Sequence, residues 1–175
     1  MKHPIKHLLN VFLLTLVLSA ANASDLPIGA VRLSLGMEKE NVLQKLKDFY
    51  GVTEQPMISS SLYSITADKK PNSKLLGMVT FREGKLVWIS RRWGDFNTAN
   101  NSMEYASALF AALEGAAAAS GSTATITTKV SRVPSGEIKQ IDFVFSDRKI
   151  TTLISDGPAQ GLGKQAGIDE SVSAN

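Results

Sequence analysis

Leu75-Leu-Gly-Met-Val-Thr-Phe-Arg82, Glu83-Gly84 and Lys85-Leu-Val-Trp-Ile-Ser-Arg-Arg-Trp93 form the stretch on which the fold turns. Two runs rich in β-branched and aromatic residues flank a Glu-Gly break, and Gly84 can take the positive φ that a two-residue turn needs. The pattern predicts an antiparallel hairpin. On its second strand Leu86 and Trp88 are expected to point one way, and Val87, Ile89 and Trp93 the other. One face should pack on a helix while the other stays wet and carries exposed aromatics.

Toward the C-terminus, Asn97 or Thr98 can cap a helix from about Ala99 to Ala119, with Met103, Ala106, Phe110, Leu113 and Ala117 along its core stripe. A meander is expected next: Thr123 to Val133, a Pro134-Ser135-Gly136 turn, Glu137 to Phe145, a Ser146-Asp147-Arg148 turn, then Lys149 to Ser155. From Pro158 to Asn175 only Leu162, Ile168 and Val172 are strongly apolar, which reads as a disordered tail. Toward the N-terminus, Leu62 to Ala67 is strand-like and Asp68 to Lys74 is turn chemistry. Glu38 to Tyr50 carries Val42, Leu43, Leu46, Phe49 and Tyr50 at helical spacing, and Ala30 to Leu35 is a short extended lead-in. The fold class is therefore α+β over residues 24–157: an antiparallel sheet with two helices packed on one face.

Residues 1–23 read as an export signal. Lys2 and Lys6 precede an apolar run from Leu8 to Leu18, and Ala21-Asn22-Ala23 has small residues at both positions of a cleavage site. The run is too short for the ~20 residues that span a bilayer. No Cys follows it, so no lipid anchor is expected, and no later stretch could cross a membrane. Cleavage after Ala23 would leave 152 of the 175 residues and lower the net charge from +3 to +1, because Lys2 and Lys6 leave and no Asp or Glu does. A near-neutral chain of interspersed charges lacks the basic face that nucleic acid demands. Localisation is expected to be periplasmic or secreted.

The chain has no Cys, and its two histidines, His3 and His7, lie within the signal. Relays built on imidazole or thiol are thereby excluded, as are zinc and copper sites that lean on those ligands. A carboxylate pair, a Ser-Lys dyad, a Lys nucleophile or an all-oxygen Ca²⁺ or Mg²⁺ site survives as chemistry. The acids Glu38, Glu40, Asp142, Asp147 and Asp156 are scattered beside Lys or Arg with no calcium-loop spacing, and no S-x-x-K sits on a helix. The expectation is a chain with no catalytic residue, no metal site and no cofactor. Trp88-Ile-Ser-Arg-Arg-Trp93 concentrates residue types enriched at interface hot spots. Trp88, Arg91, Arg92 and Trp93, joined by Tyr63 from the neighbouring strand, form the candidate partner patch. The alternative is a Trp packed under a helix with solvated arginines. Lys69-Lys70-Pro71-Asn72-Ser73-Lys74 is a basic loop, read as a solvated turn.

The run Leu35-Gly36-Met37-Glu38-Lys39-Glu40-Asn41-Val42, with Leu46 following, resembles the opening helix motif of the SmpA/OmlA (BamE-like) group and the wider BLIP-like fold of exported bacterial domains. There a Gly-Met pair precedes a short helix whose Val and Leu pack under an antiparallel sheet, and a later hairpin has the pattern of Phe81-Arg-Glu-Gly84-Lys-Leu86-Val87. The resemblance spans residues 30 to 95. It implies a tandem of two helix-then-strands units, with the second helix and meander as the second copy. It also implies a non-catalytic module that docks a protein partner in the envelope, in assembly or enzyme inhibition. The alternative is a small-ligand or glycan binder, or a carboxylate-dependent hydrolase.

Overall fold

The computed structural model describes residues 24–56, 61–70, 72–97, 101–133, 136–156 and 165–174. The expected export signal, Pro71, the Pro134-Ser135 turn and residues 158–164 of the expected tail lie outside them. The chain order is β1 (Asp25–Ile28), β2 (Val31–Ser34), α1 (Lys39–Lys47), β3 (Gly51–Gln55), β4 (Ser61–Thr66), β5 (Leu75–Arg82), β6 (Lys85–Asn97), α2 (Ser102–Ser120), β7 (Thr125–Val133), β8 (Gly136–Val144), β9 (Arg148–Asp156) and β10 (Gln165–Ser173). β1 and β2 form a small hairpin; the other strands form one eight-stranded antiparallel sheet in the order β3-β4-β5-β6-β10-β9-β8-β7. The α+β class and the antiparallel sheet are as the sequence predicts.

The β5–β6 hairpin closes at Glu83 and Gly84, both at positive φ (52° and 75°), the conformation that a two-residue turn between right-twisted strands demands. The Gly36-Met37 segment docks against it. Gly36 donates its N–H to the Leu86 carbonyl at 2.8 Å, and Leu86 returns one to Met37 at 2.9 Å. α1 then turns Val42 and Leu46 inward, the i, i+4 pair read from the sequence, and both are fully buried. The β1–β2 hairpin adds Leu26, Ile28, Val31 and Leu33 to the same aliphatic core, against Ile65, Val79, Phe81, Leu86, Ile89 and Val172 of the sheet. Gly77 makes this closeness possible: a Cβ there would meet the Ser90 carbonyl oxygen at 2.1 Å and Ile28 Cδ1 at 3.1 Å.

α2 packs beside this core on the same face of the sheet. Its Tyr105 hydroxyl meets Thr152 Oγ1 at 2.7 Å, and Ala112 and Ala116 are buried with Phe145, Ile150 and Ile168. Ile168 and Val172 stand on one face of β10, so both helices and the small hairpin cover that one face.

Three expectations are corrected. Residues 165–173 are not a disordered tail: β10 is a central strand, paired with β6 on one side and β9 on the other. Its inward row is Ala166, Ile168, Glu170 and Val172, all buried. Leu86 and Ile89 do not face opposite ways, because the β5–β6 register shifts between Thr80 and Phe81; the extra residue on β6 brings both into one core. The expected stripe of α2 is right only in part: Leu113 and Ala117 pack on the second core, but Met103 is 77% and Phe110 67% exposed, while the smaller Ala112 and Ala116 are fully buried and let the helix lie close on the sheet.

Candidate functional site

β6 distributes the expected site residues instead of gathering them. Tyr63 belongs to the first core, 7% exposed and edge-on to Phe81 with ring centroids 5.7 Å apart. Arg91 and Trp93 lie on the helix side, where the Trp93 Nε1–H donates to Glu170 Oε2 at 3.1 Å and the Arg91 guanidinium sits 4.3 Å from the Trp93 ring centroid. Two residues apart on the strand, Arg91 and Trp93 share that side by ordinary alternation, and the register shift opposite Ile168/Asp169 makes Trp93 the extra residue, unpaired with β10. Trp88 and Arg92 stand on the opposite, open face. The structure therefore brings Arg91 together with Trp93, separates both from Trp88 and Arg92, and leaves Tyr63 in the core.

On the helix side the pair joins a buried ionic seam between the two apolar cores. Glu170 is 1% exposed; one carboxylate oxygen accepts from Arg91 and Trp93, and the other accepts from Arg148 Nη1 at 3.0 Å. Arg148, 9% exposed, also reaches Asp147 at 3.1 Å and Ser120 Oγ at 2.8 Å, tying the end of α2 to the β8–β9 turn. Two arginines and two carboxylates balance in charge, as burial requires. Burial pushes the Asp147 carboxyl up, yet hydrogen bonds from Arg148 and Ser120 outweigh it and hold the group below its ordinary value. This seam has the marks of architecture: each charged group meets an opposite one, although Arg91 Nε is buried without a hydrogen-bond partner.

The open face has a different character. Trp88 pairs across β6–β10 with Ser173, and Ser90 with Ser171. At the end of the sheet a concavity of about 410 Å³ is lined from the open side by Trp88, Val144, Lys149, Ser171 and Ser173 and from the helix side by Phe145, Asp147 and Arg148, so it wraps the strand ends and reaches the seam. Further along, the Arg92 guanidinium bridges Asp95 and Asp169, and Gly167 leaves room beneath it. Burial raises the Asp169 carboxyl above its ordinary value despite the attraction of Arg92. One guanidinium is thus shared by two carboxylates, a cluster that keeps one net negative charge when both are ionised. Thr151 and Gln140 both donate to Asp142, extending a polar ladder over β8 and β9. Sequence reasoning missed Glu170, Arg148 and Asp169; the alternation Ala166, Ile168, Glu170, Val172 is hidden by the charge it contains.

Among the described residues no helix is long and apolar enough to cross a membrane, and no three His, Cys, Asp or Glu side chains converge to hold a metal ion. No family model, curated protein or solved structure matches the chain.

Proposed function

We propose that this chain is an exported, non-catalytic protein-binding module of the bacterial envelope, periplasmic or secreted, that docks its partner on the open face of the sheet around Trp88 and Arg92. The observation that carries this reading is the one-sided packing: α1, α2 and the β1–β2 hairpin all cover one face, and Trp88 stands on the other beside hydroxyl and charged side chains. A broad, rigid face with a partly buried Trp and an Arg suits protein recognition, where those residues supply binding energy and hydroxyls supply adaptable contacts. The reading includes a BamE-like or BLIP-like tandem. In its support, α1 is followed by the four-strand meander β3–β6 and α2 by the four-strand meander β7–β10, joined through their last strands.

Pull-down from envelope extract tests it. Trp88→Ala with Arg92→Ala should lose the partners that the unaltered chain retains, while Met103→Ser with Phe110→Ser on the helix side should keep them. Equal recovery by all three forms removes the open face as the docking surface.

One observation favours a second reading. The Trp88 concavity, with Lys149 and the hydroxyls of Ser171 and Ser173, has the ring and donors that stack on and bond a sugar. Titration with envelope glycan fragments, followed by Trp fluorescence in a Trp93→Phe background, should then give a saturable change that Trp88→Ala abolishes.

A further inference from the structure

The two edges of the sheet are built differently. β3, on one side, has five residues and is followed by Pro56, which offers no N–H that could extend the edge. β7, on the other, has nine residues, Thr-Ile-Thr-Thr-Lys-Val-Ser-Arg-Val, with no Gly or Pro and six β-branched side chains. Thr125 through Val130 are all exposed, and the strand pairs only with β8 among the described strands. Such an edge is a template for a further strand. On the helix side Ile126 pairs with Phe143, whose ring packs on the α2 core, while Ile126 and Val130 remain 61% and 59% exposed. An apolar row thus continues from the core to the edge and stops there uncovered.

We infer that β7 pairs antiparallel with β7 of a second copy of this chain, in the register that sets Thr128 opposite Thr128. The sequence of the strand carries both the occupant and the register. A two-fold axis through Thr128 places Ile126 against Val130 of the second copy and Val130 against its Ile126, covering both exposed side chains on the helix side. On the open side it places Thr127 against Lys129, and Thr125 against Ser131. Lys129 is the only charge in the exposed stretch from Thr125 to Val130. A slip of the axis to Lys129 would set two ammonium groups directly opposite each other, a destabilising pair, and a slip to Thr127 would set Ile126 against Thr128. The charge that guards the edge against other registers is therefore compatible with this one. The dimer makes one continuous sixteen-stranded sheet from two of eight, and it uses the edge, so it stands or falls apart from the docking role of the open face. A single strand from each copy buries an area at the low end of specific interfaces, below about 1,200 Å², so the association is concentration-dependent.

The chain contains no Cys, which makes the test direct. Directly opposed residues in an antiparallel pair have Cα atoms about 4.5–5.5 Å apart, within the range that a disulfide spans. Under mild oxidation Thr128→Cys should close into a covalent dimer, whereas Lys129→Cys, diagonal to its counterpart, should do so far more slowly. Sedimentation of the unaltered chain should show a monomer–dimer equilibrium, and Thr128→Lys, which sets like charges face to face, should sediment as monomer with unchanged circular dichroism. The inference is overturned if the unaltered chain is monomeric at every concentration reached, if Thr128→Lys still dimerises, or if both cysteine variants cross-link at the same rate.

Discussion

The two halves of the sheet meet their helices with different materials. In the first half Leu26, Ile28, Leu33, Val42, Leu46, Ile65, Leu86 and Ile89 are fully buried between a short helix, a small hairpin and β3–β6. In the second, a helix of nineteen residues seals β9 and β10 with two alanines, Ile150, Ile168 and Phe145, and leaves Met103, Phe110, Ile126 and Val130 outside. The difference teaches where each half draws its stability. The first is held by aliphatic volume. The second is held by close backbone approach and by the ionic seam through which Glu170 of β10 joins Arg91 of β6 to Arg148 of β9.

The sharpest way to break this division is at the seam. Glu170→Ala takes from half-buried Arg91 its carboxylate partner and leaves buried Arg148 with Asp147 and Ser120 alone, and removal of one partner from a buried ionic cluster costs up to about 3–5 kcal/mol. Urea unfolding should show that loss, and a cost comparable to a surface ion pair would mean that the seam is not a structural element. Next comes Leu46→Ala in the first core, at about 2–5 kcal/mol for deletion of a fully buried leucine side chain; calorimetry should record a matching fall in Tm. In the second core the opposite change is informative. Ala116→Leu forces added volume between helix and sheet and should cost about 1–3 kcal/mol, whereas tolerance of leucine there would mean that the helix does not lie close.

The smallest effect is in pH dependence. Asp147 has a lowered carboxyl in the folded chain, so its contribution is present above the ordinary carboxylate value and is lost as pH falls through the folded one. Asp147→Asn should therefore flatten the acid limb of stability below about pH 4. Asp169, raised chiefly by burial, has the reverse sign: its contribution is present below the ordinary value and lost as pH rises through the folded one. Asp169→Asn should steepen the rise of stability with pH. Unfolding measured across pH in both variants distinguishes them, and slopes that change alike would contradict the assignment.

The sequence is legible where one chemical signal is unmixed. Glu83-Gly84 between two β-branched runs predicts the hairpin, and Val42 with Leu46 predicts the buried side of α1. β7, β8 and β9 lie within two residues of their expected bounds at each end. β10 is not legible, because its inward row contains Glu170 and its outward row is Gly167, Asp169, Ser171 and Ser173, so neither face looks like a core strand. Only the arginines supplied by β6 and β9 make Glu170 an inward residue, and pairing so distant in sequence leaves no local trace. The candidate site divides for a related reason. Strict alternation assigns Trp88 and Trp93 to opposite faces, as found, but two register shifts decide the company each keeps. Met103 and Phe110 mislead because size suggests core where the close contact favours alanine.

Site-specific photocrosslinking in living cells decides between the open face and the helix face as the place where a partner docks. A photoreactive residue at Thr80 or Ser171, which flank Trp88 and Ser90 across the neighbouring strands, should trap a discrete partner that is absent with the same residue at Met103, and Trp88→Ala should abolish the product. A product at Met103 with none at Thr80 or Ser171 would contradict the account.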